Sequence, residues 1–374
     1  MVNFNNIASS MYAQDLDNCM NSISLLGNKI TFVLQGDMGN GKSATLTTLG
    51  EKHPKHRTFY CDCTTKDVGD LMLPMFSELD QNGQFVRFVT NEELGVHIDG
   101  PVIIMVDEFG KANRSVQNAL LCLMYERKMG SRQLHPDSMV YATTNLGAEA
   151  VGDLLQPHQR NRFCVLTVKK WTNEQWMEWA INNQIDPQVI LFAKENPEIF
   201  QSFTEVENPD DNQYIYHPKV NRAAFVTPRS LETASHICKV RDQLGADTTT
   251  ALLIGCIGEH AARQLNAQFT ISDDLVPLDD IKNSPKSAKI PSTAAAQCMM
   301  MYRTLSNIDR SWIDAWMDYM DRLPANMQGM FVNGVYSDKF DKKRQQAVVN
   351  NKKFTDFTMA NGHLSAADKK SAGV

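Results

Sequence analysis

Residues 30–48 constrain what this chain can fold into more than any other stretch. Ile30 to Gln35 are mostly apolar and have the length of a buried strand. Residues 36–43 (GDMGNGKS) then fit the pattern G-x-x-x-x-G-K-[ST], and helix-forming residues follow. The order has a physical logic. Glycines let the backbone curl until its N–H groups converge on an anion, and the next helix adds the positive end of its dipole. Gly36, Asp37, Met38, Gly39, Asn40 and Gly41 read as the cradle, closed by Lys42, Ser43 and Ala44 at the mouth of the helix. Lys42 brings a point charge to the β- and γ-phosphates, and the Ser43 hydroxyl is placed to ligate Mg²⁺. A glycine turn with a surface lysine would share the spacing. With a strand before it and a helix after it, the loop predicts a nucleoside triphosphate as ligand.

At 374 residues the chain exceeds one ordinary core, so two or three domains are expected. Apolar residues at 43% and charged residues at 21% describe a globular protein. The net charge of −6 gives no global attraction to nucleic acid or to an acidic membrane, although a local basic patch stays compatible with it. The first residues, MVNFNNIASS, do not form a signal peptide, and no apolar run approaches a membrane span. The eight cysteines are scattered, and only Cys61 and Cys63 are close enough to share a strand face. No second pair has zinc spacing, so a reduced, cytoplasmic protein is expected. Nineteen methionines suit helical cores with irregular gaps.

The second anchor is residues 101–108 (PVIIMVDE). Val102 to Val106 are continuously apolar, as in a strand covered on both faces, and the run ends in Asp107 and Glu108. Open α/β sheets build their sites at such carboxyl ends. Strand-ending loops are often acidic, but downstream of a phosphate loop the pair has a specific chemistry. Asp107 would hold Mg²⁺ through water, and Glu108 would orient and deprotonate the attacking water.

The other elements fall around these two. An imperfect stripe of Met11, Leu16, Met20, Ile23 and Leu26 predicts a helix before Ile30. A helix to about Gly50 follows the loop, and residues 57–63 (RTFYCDC) form the second strand. Lys66 to Met75 suggests a short helix. A hairpin insert at about 76–95 follows, turned at Asn82-Gly83 and carrying Phe85, Val86, Arg87, Phe88 and Val89. Ser115 to Arg127 is an amphipathic helix, and residues 130–138 (GSRQLHPDS) predict a second, smaller hairpin. Residues 139–143 (MVYAT) are a strand ended by Thr144-Asn145. Asn145 is a turn former, or an amide able to hold the attacking water. Arg160 and Arg162 stand just before the strand Phe163 to Val168. Both could be solvated, and either could reach a neighbouring subunit's γ-phosphate.

From Trp171 the pattern is helical, beginning with a capping box of Thr172 and Gln175. Residues 196–221 read as a loop. Thr227-Pro228 starts a helix with Arg229 in its first turn, a helix end that can point towards phosphate. Thr248 to Phe269 reads as one longer apolar helix. A proline-spaced segment, Val276 to Pro291, precedes a last helical unit with Ile313, Trp316, Met317, Met320 and Leu323 at helical spacing. Beyond Asp338 the chain is polar and poor in apolar residues, so a disordered tail at 338–374 is expected.

Taken together, these residues resemble the MoxR branch of the AAA+ ATPases. The likeness is carried by GDMGNGKS, the strand ending in DE, EFGKANRSVQNALLCLMYERKM, ATTN and NRF, and more loosely by TPRS and GEHAARQL. The resemblance implies a P-loop NTPase αβα sandwich at 1–170, with a five-stranded parallel sheet in the order 5-1-4-3-2. It further implies an all-α lid at 171–275 and a C-terminal helical extension at 276–337. By the same resemblance the ligand is ATP with Mg²⁺ rather than GTP, and the assembly is a homo-oligomeric, hexameric ring. Asn145 becomes the sensor of the γ-phosphate, Arg162 the arginine finger acting in trans with Arg160 second, and Arg229 the lid's second sensor. Both hairpins would face the pore or upper surface. The implied function is that of an ATP-hydrolysing motor that remodels, matures or assembles a client protein, such as one with a von Willebrand factor A domain, away from membranes. Two departures stand out: Gly110-Lys111 replaces the family's Asn-Arg, and Asn161 replaces the acid before the finger. The second leaves the choice between Arg160 and Arg162 open. A DNA-directed motor is the first alternative, kept by Arg87 on the hairpin, and a nucleotide-dependent switch or scaffold the second.

Overall fold

An apolar run without alternation has to be covered on both faces, and Val102 to Asp107 are buried throughout. The structure is a computed structural model that describes residues 12–79, 81, 83–145, 157–269, 275–338 and 340–362. Met11 and Asn82, which entered the helix stripe and the hairpin turn above, lie outside them. The chain divides after Lys170 into two units.

In the first unit, α1 (Leu16–Leu26), β1 (Phe32–Gln35), α2 (Thr45–Lys52) and β2 (Arg57–Asp62) come first. A one-turn helix α3 (Val68–Leu71) leads into β3 (Met72–Phe76) and β4 (Val86–Thr90). Then follow β5 (Val102–Asp107), α4 (Arg114–Leu121), the two-residue strands β6 (Lys128–Met129) and β7 (Arg132–Gln133), β8 (Met139–Thr144), α5 (Pro157–Arg160) and β9 (Cys164–Thr167). Five strands form a sheet in the order β2-β5-β8-β1-β9, every neighbouring pair parallel. Counted among themselves in chain order they read 5-1-4-3-2, a P-loop αβα sandwich as expected.

Alternation along the strands builds the two layers. Val33, Ile104, Val106, Val140 and Ala142 face one core with Val116 and Leu120 of α4 and Leu123 just after it. Phe32, Leu34, Ile103, Met105 and Tyr141 face the other, with Cys19, Met20 and Ile23 of α1 and Leu49 of α2. The register sets Gln35 of β1 beside Thr144 of β8 and Thr167 of β9, so their carboxyl ends are level where the phosphate-loop motif begins.

The short helix expected over Lys66 to Met75 stops at Leu71, and Met72 to Phe76 become the first arm of a ribbon with β4. Pro74 explains the change, since it cannot continue a helix, while the apolar residues of β4 offer an antiparallel partner. The insert therefore starts earlier than position 76. Leu73, Met75, Phe76, Phe85, Val86 and Val89 are all exposed on it. The small hairpin likewise begins earlier than expected, at Lys128. Its turn residue Gly130, at φ 58°, lies so close to the ribbon that a Cβ would stand 2.7 Å from the Phe88 carbonyl oxygen.

The second unit is helical: α6 (Asn173–Asn182), α7 (Pro187–Glu195), α8 (Pro228–Lys239), α9 (Arg241–Leu244), α10 (Ala246–Ile257), α11 (Glu259–Phe269), α12 (Leu278–Asn283), α13 (Ala294–Asn307), α14 (Ile313–Met320), α15 (Ala325–Val335), α16 (Lys342–Val349) and α17 (Lys352–Ala360). Thr172 and Gln175 cap α6 reciprocally, at 3.3 and 3.1 Å. The single helix expected over 248–269 is two helices broken at Gly258. There φ is 85°, and a Cβ would meet the Ala224 carbonyl oxygen at 2.8 Å. Trp176, Phe192, Leu253, Trp316, Phe331 and Phe354 belong to one core, so residues beyond 276 pack with those before. No described helix is long and apolar enough to cross a membrane.

The disordered tail expected from Asp338 is corrected as far as residue 362. α16 and α17 are capped by Asp341 and Asn351, and Val348 and Phe354 are fully buried. A few apolar residues on one face are enough where a core already exists to receive them. Phe354→Ala should therefore lower stability by about 3–5 kcal/mol. Urea unfolding followed by circular dichroism would show it, and an unchanged midpoint would mean that α17 does not dock.

Candidate nucleotide site

The loop after β1 needs glycine where its backbone turns left-handed, at Gly39 (φ 67°) and Gly41 (φ 78°). The loop is tied at its start to β8 and at its middle to the segment just after β9. The Gly36 amide donates to the Thr144 carbonyl at 3.3 Å, and the buried Asn40 donates from Nδ2 to the Lys169 carbonyl at 3.0 Å. Asn40 thus anchors the cradle through its side chain. Met38 is half-buried, and Asp37 is buried with its carbonyl turned to Lys42. Ala44 has helical angles, and its amide closes a tight turn onto the Gly41 carbonyl at 3.1 Å.

Lys42 is only 6% exposed, so its ammonium group requires acceptors. It donates to the carbonyls of Gly36 and Asp37, both at 2.7 Å, and to Oδ1 of Asn145 at 3.0 Å. Asn145, buried just past β8, uses its other end on Glu108, its Nδ2 lying 3.0 and 3.1 Å from the two carboxylate oxygens. One amide therefore bridges the lysine of the phosphate-loop motif and the carboxylate read as general base.

The two acids diverge because the backbone turns between them. Asp107 ends β5, whereas Glu108 has φ 53°, a left-handed conformation uncommon outside glycine. Glu108 also pairs with Lys111 at 3.0 Å. Oδ2 of Asp107 accepts from the Ser43 hydroxyl at 3.1 Å and from the Tyr60 hydroxyl at 2.8 Å, and Oδ1 accepts from the Thr143 hydroxyl. The Thr143 oxygen in turn accepts from the Glu108 amide at 3.3 Å. Burial, and then the bond to Asp107, hold the Tyr60 phenol well above its ordinary pKa, so it stays a donor. A hydroxyl and a carboxylate in contact are the hard oxygen donors that Mg²⁺ takes while keeping most of its waters. Ser43 and Asp107 fit that ion.

Tyr60 and Thr143 were not singled out in the sequence. Both reach Asp107 only because β2 and β8 flank β5, which no local pattern reveals. Of the other expected residues, Arg160 and Arg162 are exposed at the α5–β9 corner, and the Arg162 guanidinium lies over the Tyr125 ring, 5.7 Å from its centroid. Arg229 is exposed in the first turn of α8, in the second unit.

No family model matches the chain, and no curated protein does. Solved structures show a remote likeness. A single-residue variant of RuvB from Thermotoga maritima is 12% identical, with 69% of this chain covered, 68% of that chain covered and a TM-score of 0.35. Hsp104 with ATPγS and FITC casein is 16% identical over 66% of this chain, with a TM-score of 0.34. The match spans only 40% of the Hsp104 chain.

Thr143→Val keeps the shape of the buried residue and removes the hydroxyl shared by Asp107 and the Glu108 amide. By the usual weight of such supporting bonds, Mg²⁺-dependent nucleotide affinity should fall about 10–100-fold. Titration with a fluorescent nucleoside triphosphate at varied Mg²⁺ measures it, and an unchanged Mg²⁺ dependence would contradict the role given to Thr143.

Proposed function

We propose that this chain is an ATP-hydrolysing ring motor of MoxR type that remodels or assembles a client protein. The observation that carries the reading is the bridge from Lys42 through Asn145 to Glu108, built beside the Ser43–Asp107 pair. A structural loop would need neither a buried ammonium group nor a base held by the same amide.

The chemistry follows from what each group can exchange. The triphosphate enters the cradle, and its β- and γ-oxygens replace the carbonyls of Gly36 and Asp37 and Oδ1 of Asn145 as acceptors for Lys42. Asn145 is thereby released from Lys42 and donates to the γ-phosphate. Its departure also frees Glu108 to accept a proton from the water that attacks phosphorus in line. Ser43, and Asp107 through water, would hold Mg²⁺, which would supply positive charge to offset that of the phosphates. Arg162 of an adjacent copy, exposed at its corner, supplies positive charge to the transition state, and Arg160 is the second candidate for that role. Arg229 senses the γ-phosphate from the lid.

Hydrolysis removes the phosphate that Arg162, Asn145 and Arg229 share, and with it the contacts that distinguish the ATP-bound state. A hexamer in the cytoplasm and a client with a von Willebrand factor A domain are part of the proposal. The ribbon favours polypeptide over DNA as the object of the motion. Among its described exposed residues Leu73, Met75, Phe76, Phe85, Val86, Phe88 and Val89 are apolar and Arg87 is the one cation, whereas a phosphate backbone calls for clustered Lys and Arg.

Lys42→Ala should abolish tight nucleotide binding. Glu108→Gln should keep ATP bound and stop turnover, and full activity in that variant would remove Glu108 from the role of base. Arg162→Ala should lose roughly a thousandfold in turnover with ATP affinity retained. Phosphate release with equilibrium binding in parallel separates these outcomes. Should Arg160→Ala produce the loss instead, the finger is Arg160.

A further inference from the structure

The corner that carries Arg162 is fastened to the turn that carries Glu108 by contacts within one chain. Gln117, buried in α4, donates from Nε2 to the carbonyls of Gly110 at 3.3 Å and Ala112 at 3.0 Å, in the segment just after Glu108. Its Oε1 accepts from Nε2 of Gln159, buried in α5, at 2.9 Å. The Gln159 carbonyl then accepts from the Arg162 amide at 2.9 Å. Alongside, Phe109 and Phe163 meet edge to face at 6.0 Å and 83°. Each phenylalanine is the residue after the functional one: Phe109 follows Glu108, and Phe163 follows Arg162.

The far end of the same helix reaches the same corner. After α4 the helix widens into a π turn over Cys122–Glu126. Such turns are rare and frequently mark functional sites. Tyr125 lies in this one, is 59% exposed, and has its ring face covered by the Arg162 guanidinium. A large exposed ring contributes little to a core, whereas a cation over its face is held in place. Two buried amides in contact are likewise costly to separate, because the bond between Oε1 of Gln117 and Nε2 of Gln159 is then lost where water does not replace it.

We propose that Gln117 and Tyr125 are positioning residues for Arg162, making the acidic turn of one site and the finger offered to the next site a single mechanical piece. Gln117 ties the α5 corner to the turn after Glu108. Tyr125 holds the guanidinium at the surface where the adjacent copy meets it. A change at Glu108 on ATP binding or hydrolysis is then passed through α4 to the finger that serves the neighbour. The inference rests on the reading of Arg162 as a finger in trans.

The test is complementation between subunits. Tyr125→Ala should lower turnover about fivefold with ATP affinity unchanged, and Tyr125→Phe, which keeps the ring face, should restore it. Gln117→Leu should lower turnover further. Each variant is then mixed with Glu108→Gln subunits, which do not hydrolyse ATP but carry an intact finger. Turnover per active subunit should rise in both mixtures, as in a control mixture with Arg162→Ala, because the defect lies in what a subunit gives and not in what it receives. A rise in the control without a rise for Tyr125→Ala overturns the proposal and leaves the trans finger standing. No rise in the control overturns the trans finger and the proposal with it. Tyr125 is exposed, so Tyr125→Ala decides the matter even if Gln117→Leu, a buried change, unfolds.

Discussion

A buried ammonium group has to be surrounded by acceptors, and that requirement at Lys42 accounts for much of the first unit. Two of its acceptors come from the loop that carries it, and the third comes from Asn145 at the end of β8. The third is available only if β8 lies beside β1, which is the order of the sheet. The same adjacency makes the Thr144 carbonyl the partner of the Gly36 amide, so β8 supports the loop at its start and its lysine at its end. The glycines permit the curl of the loop, and the neighbouring strand fixes it.

The acids show a second constraint, geometric in origin. Consecutive residues on a strand point to opposite faces, so Asp107 and Glu108 could not serve one site if β5 simply continued. The left-handed backbone at Glu108 breaks the alternation, so that Asp107 reaches Ser43 of the loop while Glu108 reaches Asn145. Thr143 secures the break by accepting from the Glu108 amide while donating to Asp107. Two acids with different surroundings follow from one residue's departure from strand geometry.

Much of this was legible in the sequence for reasons that can be stated residue by residue. The phosphate loop and the acid pair are contiguous patterns, and the unalternating run before Asp107 required a central strand. Asn145 gained its meaning only with the strand order. Tyr60, Thr143, Gln117 and Gln159 were not legible, since each matters through a contact between elements far apart in the chain. The break at Gly258 was also missed: its reason is the approach of the Ala224 carbonyl, and an apolar helix pattern continues across it without interruption. The fold of residues 342–360 was misread because composition averages over a segment, while docking needs only a correctly spaced Val348 and Phe354.

The ribbon of β3 and β4 carries a further consequence. An outer edge of β3 that pairs with no further strand among the described residues, and apolar side chains on both faces, make it a template on which other chains could add strands. The amide of Asn91 reaching the Leu71 carbonyl, and that of Ser77 reaching the Phe85 carbonyl, set the parity of the pairing. By that parity Pro74, opposite Phe88, occupies a non-hydrogen-bonded position with its nitrogen on the outer edge. At that point an incoming strand finds no donor and meets a ring. The edge most open to fibril-like growth is thus interrupted near its middle, leaving the side chains accessible while runaway strand addition is blocked.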